Sequence, residues 1–480
     1  MLRKIGKWIR ICCWIPLILG MTGYWIVGKE PFWHSLYASI ALYFVNPVSD
    51  VTNAWVILAE YLAVLVTASV VLMLLEAVLR ALEHRRIRMF RDGTAIYSDD
   101  ELGEIVRDNL KHSYLCPVSD DAGGRFKVQK TSNHVLMFSN DIRNMEFYTA
   151  CKEAFSTGRV FILMRQTDLS LLKASSEPNV RFFHLYTLMA RMYWHENSLY
   201  ASREQTQINV GIVGFGEAGR AIFRYGFLNN LFLPEQRIVY HIWNCPEQEW
   251  PFMEFLSEHT GNRDAVVLHR EPWYDQDGML YDMDRIILAE SEPDVISVLQ
   301  TILLNRPDAV IHCFDGEDVE FSDYFASDNL ISFGHFSEVL TDDNIRGDRL
   351  SRLGKLFNYD YVMQGKTVPE HYEEDMELAW NALDGFKKSS SIARGDYYRI
   401  MRQLRKDYPQ FTEEVYQEME HIRWCRFHYI NHWTFADKRD NSRHQHNLLV
   451  PYSELSSAQK QLDSIHSEIL RKEIEDLCDQ

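Results

Sequence analysis

Three glycines are the residues best placed to do chemistry. In "INVGIVGFGEAGRAIFRYG" (208–226), Gly214, Gly216 and Gly219 stand at the spacing Gly-x-Gly-x-x-Gly, after an apolar strand pattern and before a helical one. The first permits a tight turn, the second lets backbone approach a phosphate, and the third lets helix and strand pack closely. Amide groups at the helix start would then face an anion. At the end of the next strand, "RIVYHIWN", Asn244 stands where an acid would hold a ribose diol. The turn suits a nucleotide or dinucleotide, but recognition of NAD through its ribose is put in doubt. No Ser-Tyr-x-x-x-Lys pattern and no histidine placed for hydride transfer accompany it, so binding without catalysis is expected.

A second constellation lies near the carboxy terminus. Trp424, Trp433 and Tyr452 offer flat aromatic faces, and Arg423, Arg439 and several histidines supply donors nearby. Stacking plus charge-assisted hydrogen bonds suits a base joined to a phosphate. The same letters also describe a helical module whose tryptophans are core and whose charges pair internally. The run Glu420-His421-x-Arg423-Trp424, then Trp433, Asp440, His446, "LVPYSEL" (449–455) and Asp463 resembles the ryanodine-receptor (RyR) repeat over about 60 residues. Asn431-His432 departs from the glycine usual before the second tryptophan. The resemblance implies a sensor of a nucleotide-derived signal, with a place in bacterial defence, and names Glu420, His421, Arg423, Trp424, Trp433, Arg439, Asp440, His446 and Tyr452 as its ligand-binding set.

These sites sit behind a membrane-type segment. Ile11 to Gly28 carries no charge and follows Arg3, Lys4, Lys7 and Arg10; Val51 to Leu75 is broken only by Glu60 and is followed by Arg80, Arg85, Arg86, Arg88 and Arg91. A basic start and an apolar stretch also describe a signal peptide, but no small-x-small cleavage site follows and a second apolar segment does. Both lengths reach the lower bound for spanning, and the flanks place both termini in the cytoplasm. Between them, "FWHSLYASIALYFVNPVSDVTNAW" (32–55) starts as an apolar helix and breaks at Pro47 and Asp50. Helix, half-helix, turn, helix resembles the two-span pore module of tetrameric cation channels. Against the Thr-Val-Gly-Tyr-Gly-Asp filter of potassium channels, residues 45–50 keep only Asp50, so a potassium-selective carbonyl ring is not expected. Asn46, Pro47, Ser49, Asp50, Glu60 and Thr67 are the expected pore residues, because an ionisable residue inside a span usually faces a bundle interior or water.

The remaining charge is acidic. Residues 92–480 hold 40 Lys/Arg against 63 Asp/Glu, while residues 1–91 hold 10 against 5. That acidic body excludes non-specific nucleic-acid binding. Eight scattered cysteines form no CxxC or paired spacing, which fits a reducing compartment and no metal site.

Short apolar strands alternate with helices from residue 92, the mark of parallel doubly wound sheets. Placed behind the pore-like segment, the first of these units resembles the RCK (TrkA-N type) Rossmann domains that regulate potassium conductance. Its turn, however, reads Ser98, Asp100 and Gly103 with Asp99 and Glu101 beside them, and carboxylates there repel a pyrophosphate. The expected organisation is a pore-like helical hairpin (1–91) with a re-entrant segment, a degenerate Rossmann domain (92–204), a second with the glycine turn (205–366), and a small, mainly helical RyR-like domain (367–480). The expected function is a ligand-gated ion channel of a bacterial inner membrane. Four copies would place eight Rossmann units in a ring. The alternatives are a membrane-anchored NAD(P)-dependent oxidoreductase and a non-conducting anchor that recruits partners.

Overall fold

The computed structural model describes residues 13–46, 48–87, 90, 92–116, 128–173, 177–274, 280–289, 295–316, 320–347, 349–364, 366–461 and 464–478. Contacts divide the chain into two units, 1–91 and 92–480.

In the first unit, the helix Ile15–Met21 continues as a wider turn to Val27, then Phe32–Ala41 and the tighter turn Leu42–Phe44 form the half-helix, and Ala54–Ile87 forms one long helix. Ala54–Leu75, with mean hydropathy 2.3, is the one segment among the described residues long and apolar enough to cross a membrane; Ile15–Val27 is shorter. The half-helix nevertheless doubles back as expected. The Thr67 hydroxyl donates to the carbonyl of Tyr43 at its end, 2.9 Å away. Thr67 lies thirteen residues into the long helix, about 20 Å from Ala54 at 1.5 Å per residue. The chain returns to Ala54 by way of Val45, which turns in the left-handed region at φ 56°. On the way back Ser49 donates to Glu30, just ahead of the half-helix (2.6 Å), and Asn53 donates to the Gly23 carbonyl (2.9 Å). Tyr24, Ala38, Leu42, Val56, Ala59 and Ala63 fill the space between the three helices.

The second unit contains two wholly parallel sheets. The first comprises β1 (Thr94–Tyr97), β2 (Ser113–Cys116), β3 (Asn133–Leu136), β4 (Arg159–Met164) and β5 (Val180–His184), in the order β2-β1-β3-β4-β5. The second comprises β6 (Gln207–Val213), β7 (Arg237–Trp243), β8 (Ala265–Leu268), β9 (Arg285–Leu288), β10 (Ile311–Phe314) and β11 (Leu330–Phe333), in the order β11-β10-β9-β6-β7-β8. That is the dinucleotide-fold order, with its switch point between β6 and β9. Central strands such as β3 and β10 are buried throughout, as parallel strands covered on both faces must be.

The two sheets share a core through the helices Leu185–Glu196 and Glu217–Asn229. Trp194 of the first donates its indole N–H to the Ile222 carbonyl of the second at 2.7 Å. Beyond the sheets, helices Glu373–Asn381, Gly385–Asp407, Glu413–Tyr429 and Glu468–Cys478 follow. The helix Arg352–Val362, which sequence patterning groups with the second sheet, joins a cluster with this carboxy-terminal set: Leu353, Leu356 and Phe357 share it with Met376, Leu470 and Ile474.

Candidate functional site: the glycine turn and the cavity beside it

β6 delivers the chain into the glycine turn. Gly214 adopts φ 95°, a conformation L side chains rarely take. Gly219 sits so close that an added Cβ would lie 2.1 Å from the Gly214 carbonyl oxygen. Gly216 caps the helix Glu217–Asn229, and a Cβ added there would meet nothing within 4 Å. The turn is therefore tight where helix meets strand and open where a phosphate would approach. Asn244 ends β7 in the left-handed region (φ 59°) with an exposed side chain, a neutral amide at the sugar position.

Next to this helix lies a cavity of about 840 Å³. One wall is Phe215 and Phe223 of the turn and helix, with Phe252 and Met253 of the helix Trp250–Glu258; another is Trp433, Arg439 and His444. Trp433 stacks on His444 (5.2 Å, 4° between planes) and on Phe386 (5.0 Å, 25°). His432 lies on Phe252 at 3.9 Å. Arg224 ties the site together, donating to Asp168 and to Asn431 at 2.7 Å each. Trp433 is buried, and its indole N–H has no hydrogen-bond partner among the described residues. Arg439 donates from Nε to Asn441, leaving the rest of its fork for a ligand acceptor.

The other sequence-proposed sensor residues go elsewhere. Glu420 and Arg423 form a bidentate ion pair (2.8 and 2.9 Å), both buried, one turn apart on the helix. His421 bonds the Val450 carbonyl (2.9 Å), and Tyr452 donates to Gln417 (2.9 Å). Asp440 caps the short turn Asn441–Arg443, accepting from Ser442 and Arg443. Trp424 packs among His421, His428 and His446 rather than in the cavity wall. Sequence reasoning missed Phe386, Asn431, His432 and His444. Asn431 and His432 stood out only as the departure from the repeat's usual glycine, and His444 only by its place two residues ahead of His446.

The acidic turn of the first sheet is internally neutralised. Asp99 accepts from the Ser139 amide (2.6 Å) and pairs with Arg143, and Asp100 pairs with Arg165. Among the described residues no group of three or more His, Cys, Asp or Glu is placed to hold a metal. In the membrane-type unit, Asn46 and Asp50 are exposed, Ser49 is bonded to Glu30, Thr67 to Tyr43, and Glu60 is half-buried; Pro47 lies outside the described residues.

Burial holds His428 down to about 3 and, with Arg439 nearby, His446 down to about 4. Both are neutral in the folded protein while unfolded histidine titrates near 6.5. Between pH 6.5 and about 4 the unfolded chain takes up protons that the folded one refuses, so stability falls as pH falls through that window. Each unit costs about 1.4 kcal/mol per histidine kept neutral. Unfolding midpoints measured from pH 7.5 to 4.5 should be flat above 6.5 and fall below it, with a shallower slope in His428→Gln. A flat profile throughout would show these imidazoles to be freely hydrated.

Comparison with known proteins agrees at this end of the chain. Residues 401–474 match the RyR domain family, which bears out the carboxy-terminal resemblance. No curated protein matches the chain. Among solved structures, a crystal structure of a GsuK mutant aligns with a TM-score of 0.34 and 12% identity, over 71% of this chain and 97% of that one. The chain thus combines parallel Rossmann-like sheets with an RyR domain.

Proposed function

We propose that the protein is a ligand-gated membrane ion channel, assembled as a tetramer, in which the glycine turn and the RyR domain sense a nucleotide-derived signal. The re-entrant half-helix carries this reading. Non-helical backbone at membrane depth is tolerated where protein buries it or where it lines water, and an anchor needs no such segment. Thr67 and Ser49 hold it in place from either end. The cavity supports the sensing half, because one ligand there would touch both the phosphate-turn helix and the RyR wall. Two membrane passes with cytoplasmic termini, a bacterial inner membrane and a role in defence complete the reading. The module binds rather than catalyses, and ligand gates it by preferring the open arrangement.

Recording from purified protein in planar bilayers, with and without candidate nucleotides, tests it. Arg439→Ala should shift the dose–response rightwards roughly ten- to a hundredfold, the cost of one charge-assisted bond, at unchanged unitary conductance. Glu60→Gln should alter conductance or cation preference at nearly unchanged ligand sensitivity. A wild type that passes no current with any nucleotide would leave the non-conducting anchor in its place.

A further inference from the structure

A second cavity, of about 650 Å³, adjoins the first along the helix Glu217–Asn229. It is enclosed by β4 and β5, the helices Leu185–Glu196 and Glu217–Asn229, and the start of Gly385–Asp407. Its volume is in the usual range for small-molecule sites. Among the described residues, nine Lys or Arg side chains line it against three carboxylates, Asp168, Glu217 and Glu377. Among the described residues, five of the cations meet carboxylates: Arg224 meets Asp168, Lys355 meets Glu377, Arg220 meets Glu217 and Glu249, Arg191 meets Asp396 and Arg346 meets Asp342, the last three drawing Glu249, Asp396 and Asp342 from outside the lining. Nine cations against six carboxylates leave the cavity on the positive side in a chain of net charge −18, a balance that an entering anion would offset.

The walls suit more than a bare anion. The half-buried Lys388 holds its ammonium over the Trp380 ring at 5.9 Å from the centroid, and Phe182 and Phe183 line the β5 side. His184 and Thr187 bring the first turn of a twelve-residue helix to the cavity, which adds the favourable end of its dipole. We propose that this cavity is a second binding site, for a polyphosphate-bearing ligand, distinct from the cavity at the RyR wall. Asp168, Arg220 and Arg224 line both cavities, so an anion held here acts on the Arg224 bonds to Asp168 and Asn431. The site is thereby placed to regulate the other, and it stands whether or not the membrane unit conducts.

The test uses the full-length protein in detergent, with ATP and inorganic tripolyphosphate as probes and calorimetric titration and thermal midpoints as readouts. Both probes should bind wild type and raise its midpoint. Lys388→Glu and Lys173→Glu, with unliganded midpoints checked first, should each weaken tripolyphosphate binding roughly ten- to a hundredfold, the loss of one charge-assisted bond. Lys388→Arg should restore most of the affinity, and Arg439→Ala, which changes only the other cavity, should leave it unchanged. Tighter binding of ATP than of tripolyphosphate identifies a nucleotide as the source, and equal binding identifies a free polyphosphate. The proposal is overturned if neither probe binds at millimolar concentration. It is equally overturned if Lys388→Glu leaves tripolyphosphate binding intact while Arg439→Ala removes it.

Discussion

Arg426→Ala should destabilise the second unit by about 3–5 kcal/mol, the cost of leaving one member of a buried ion pair alone. Arg426 is fully buried on the RyR helix Glu413–Tyr429. It donates to the Thr260 carbonyl (2.6 Å), the Phe227 carbonyl (2.9 Å), Asn262 and the Asp264 carboxylate (2.9 Å). Its guanidinium also lies over the Phe227 ring at 4.6 Å. Every one of these partners belongs to the second sheet's part of the chain, so one side chain joins the RyR domain to it. Truncation strands Asp264, itself buried and accepting from the Ile238 amide at the start of β7. Lysine is no substitute, since a single ammonium cannot serve four acceptors in a plane. The control is Arg443→Ala, an exposed side chain 3.8 Å from Asp440, expected to cost well under about 1 kcal/mol. Urea unfolding of the full-length protein followed by tryptophan fluorescence measures both. Equal midpoints for the two variants would mean that the Arg426 contacts hold nothing together.

That residue also shows where sequence reading stops. Asp264 lies 162 positions before Arg426, and no local pattern joins them. Glu420 and Arg423, by contrast, were legible as a motif but took on a ligand role that their geometry assigns to each other. Their i,i+3 spacing on a helix already offered the internal pairing. The aromatic and basic letters of the RyR run give residue types without directions. Trp433 and Arg439 therefore reach the cavity while Trp424 and Tyr452, equally suitable by type, do not.

The parallel sheets were legible from alternation, except at β2 and β9. Both have four residues, as do β1, β3, β8, β10 and β11, so length does not set them apart; β9 nonetheless sits beside β6 and completes the switch point. The glycine turn and the half-helix were readable for a different reason. Both follow from local limits, one on backbone conformation and one on how much helix fits a bilayer. Of the two expected spans, Val51 to Leu75 is met by a helix long and apolar enough to cross a membrane, while the one at 11–28, described from residue 13 on, shows the shorter apolar helix Ile15–Val27.

Two substitutions three residues apart in the glycine turn should fail in opposite ways. Gly219→Ala places a methyl 2.1 Å from the Gly214 carbonyl oxygen, a backbone atom that cannot swing aside. The helix Glu217–Asn229 must then lift from β6, and it carries Ile222, Phe223 and Phe227 into the shared core. Overpacking of this kind costs about 1–3 kcal/mol or more, so the variant should unfold early or express poorly. Gly216→Asp meets open space, and its φ of −73° is one that any residue adopts. A carboxylate at this helix start is even favourable for the helix itself. The same charge occupies the place a phosphate would take, so nucleotide binding at the turn should fall by at least about tenfold while the unfolding midpoint stays within about 0.5 kcal/mol of wild type. Binding measured on both variants separates the two roles of the motif. If Gly216→Asp binds nucleotide as wild type does, the turn is a packing device, and ligand sensing rests with the RyR wall alone.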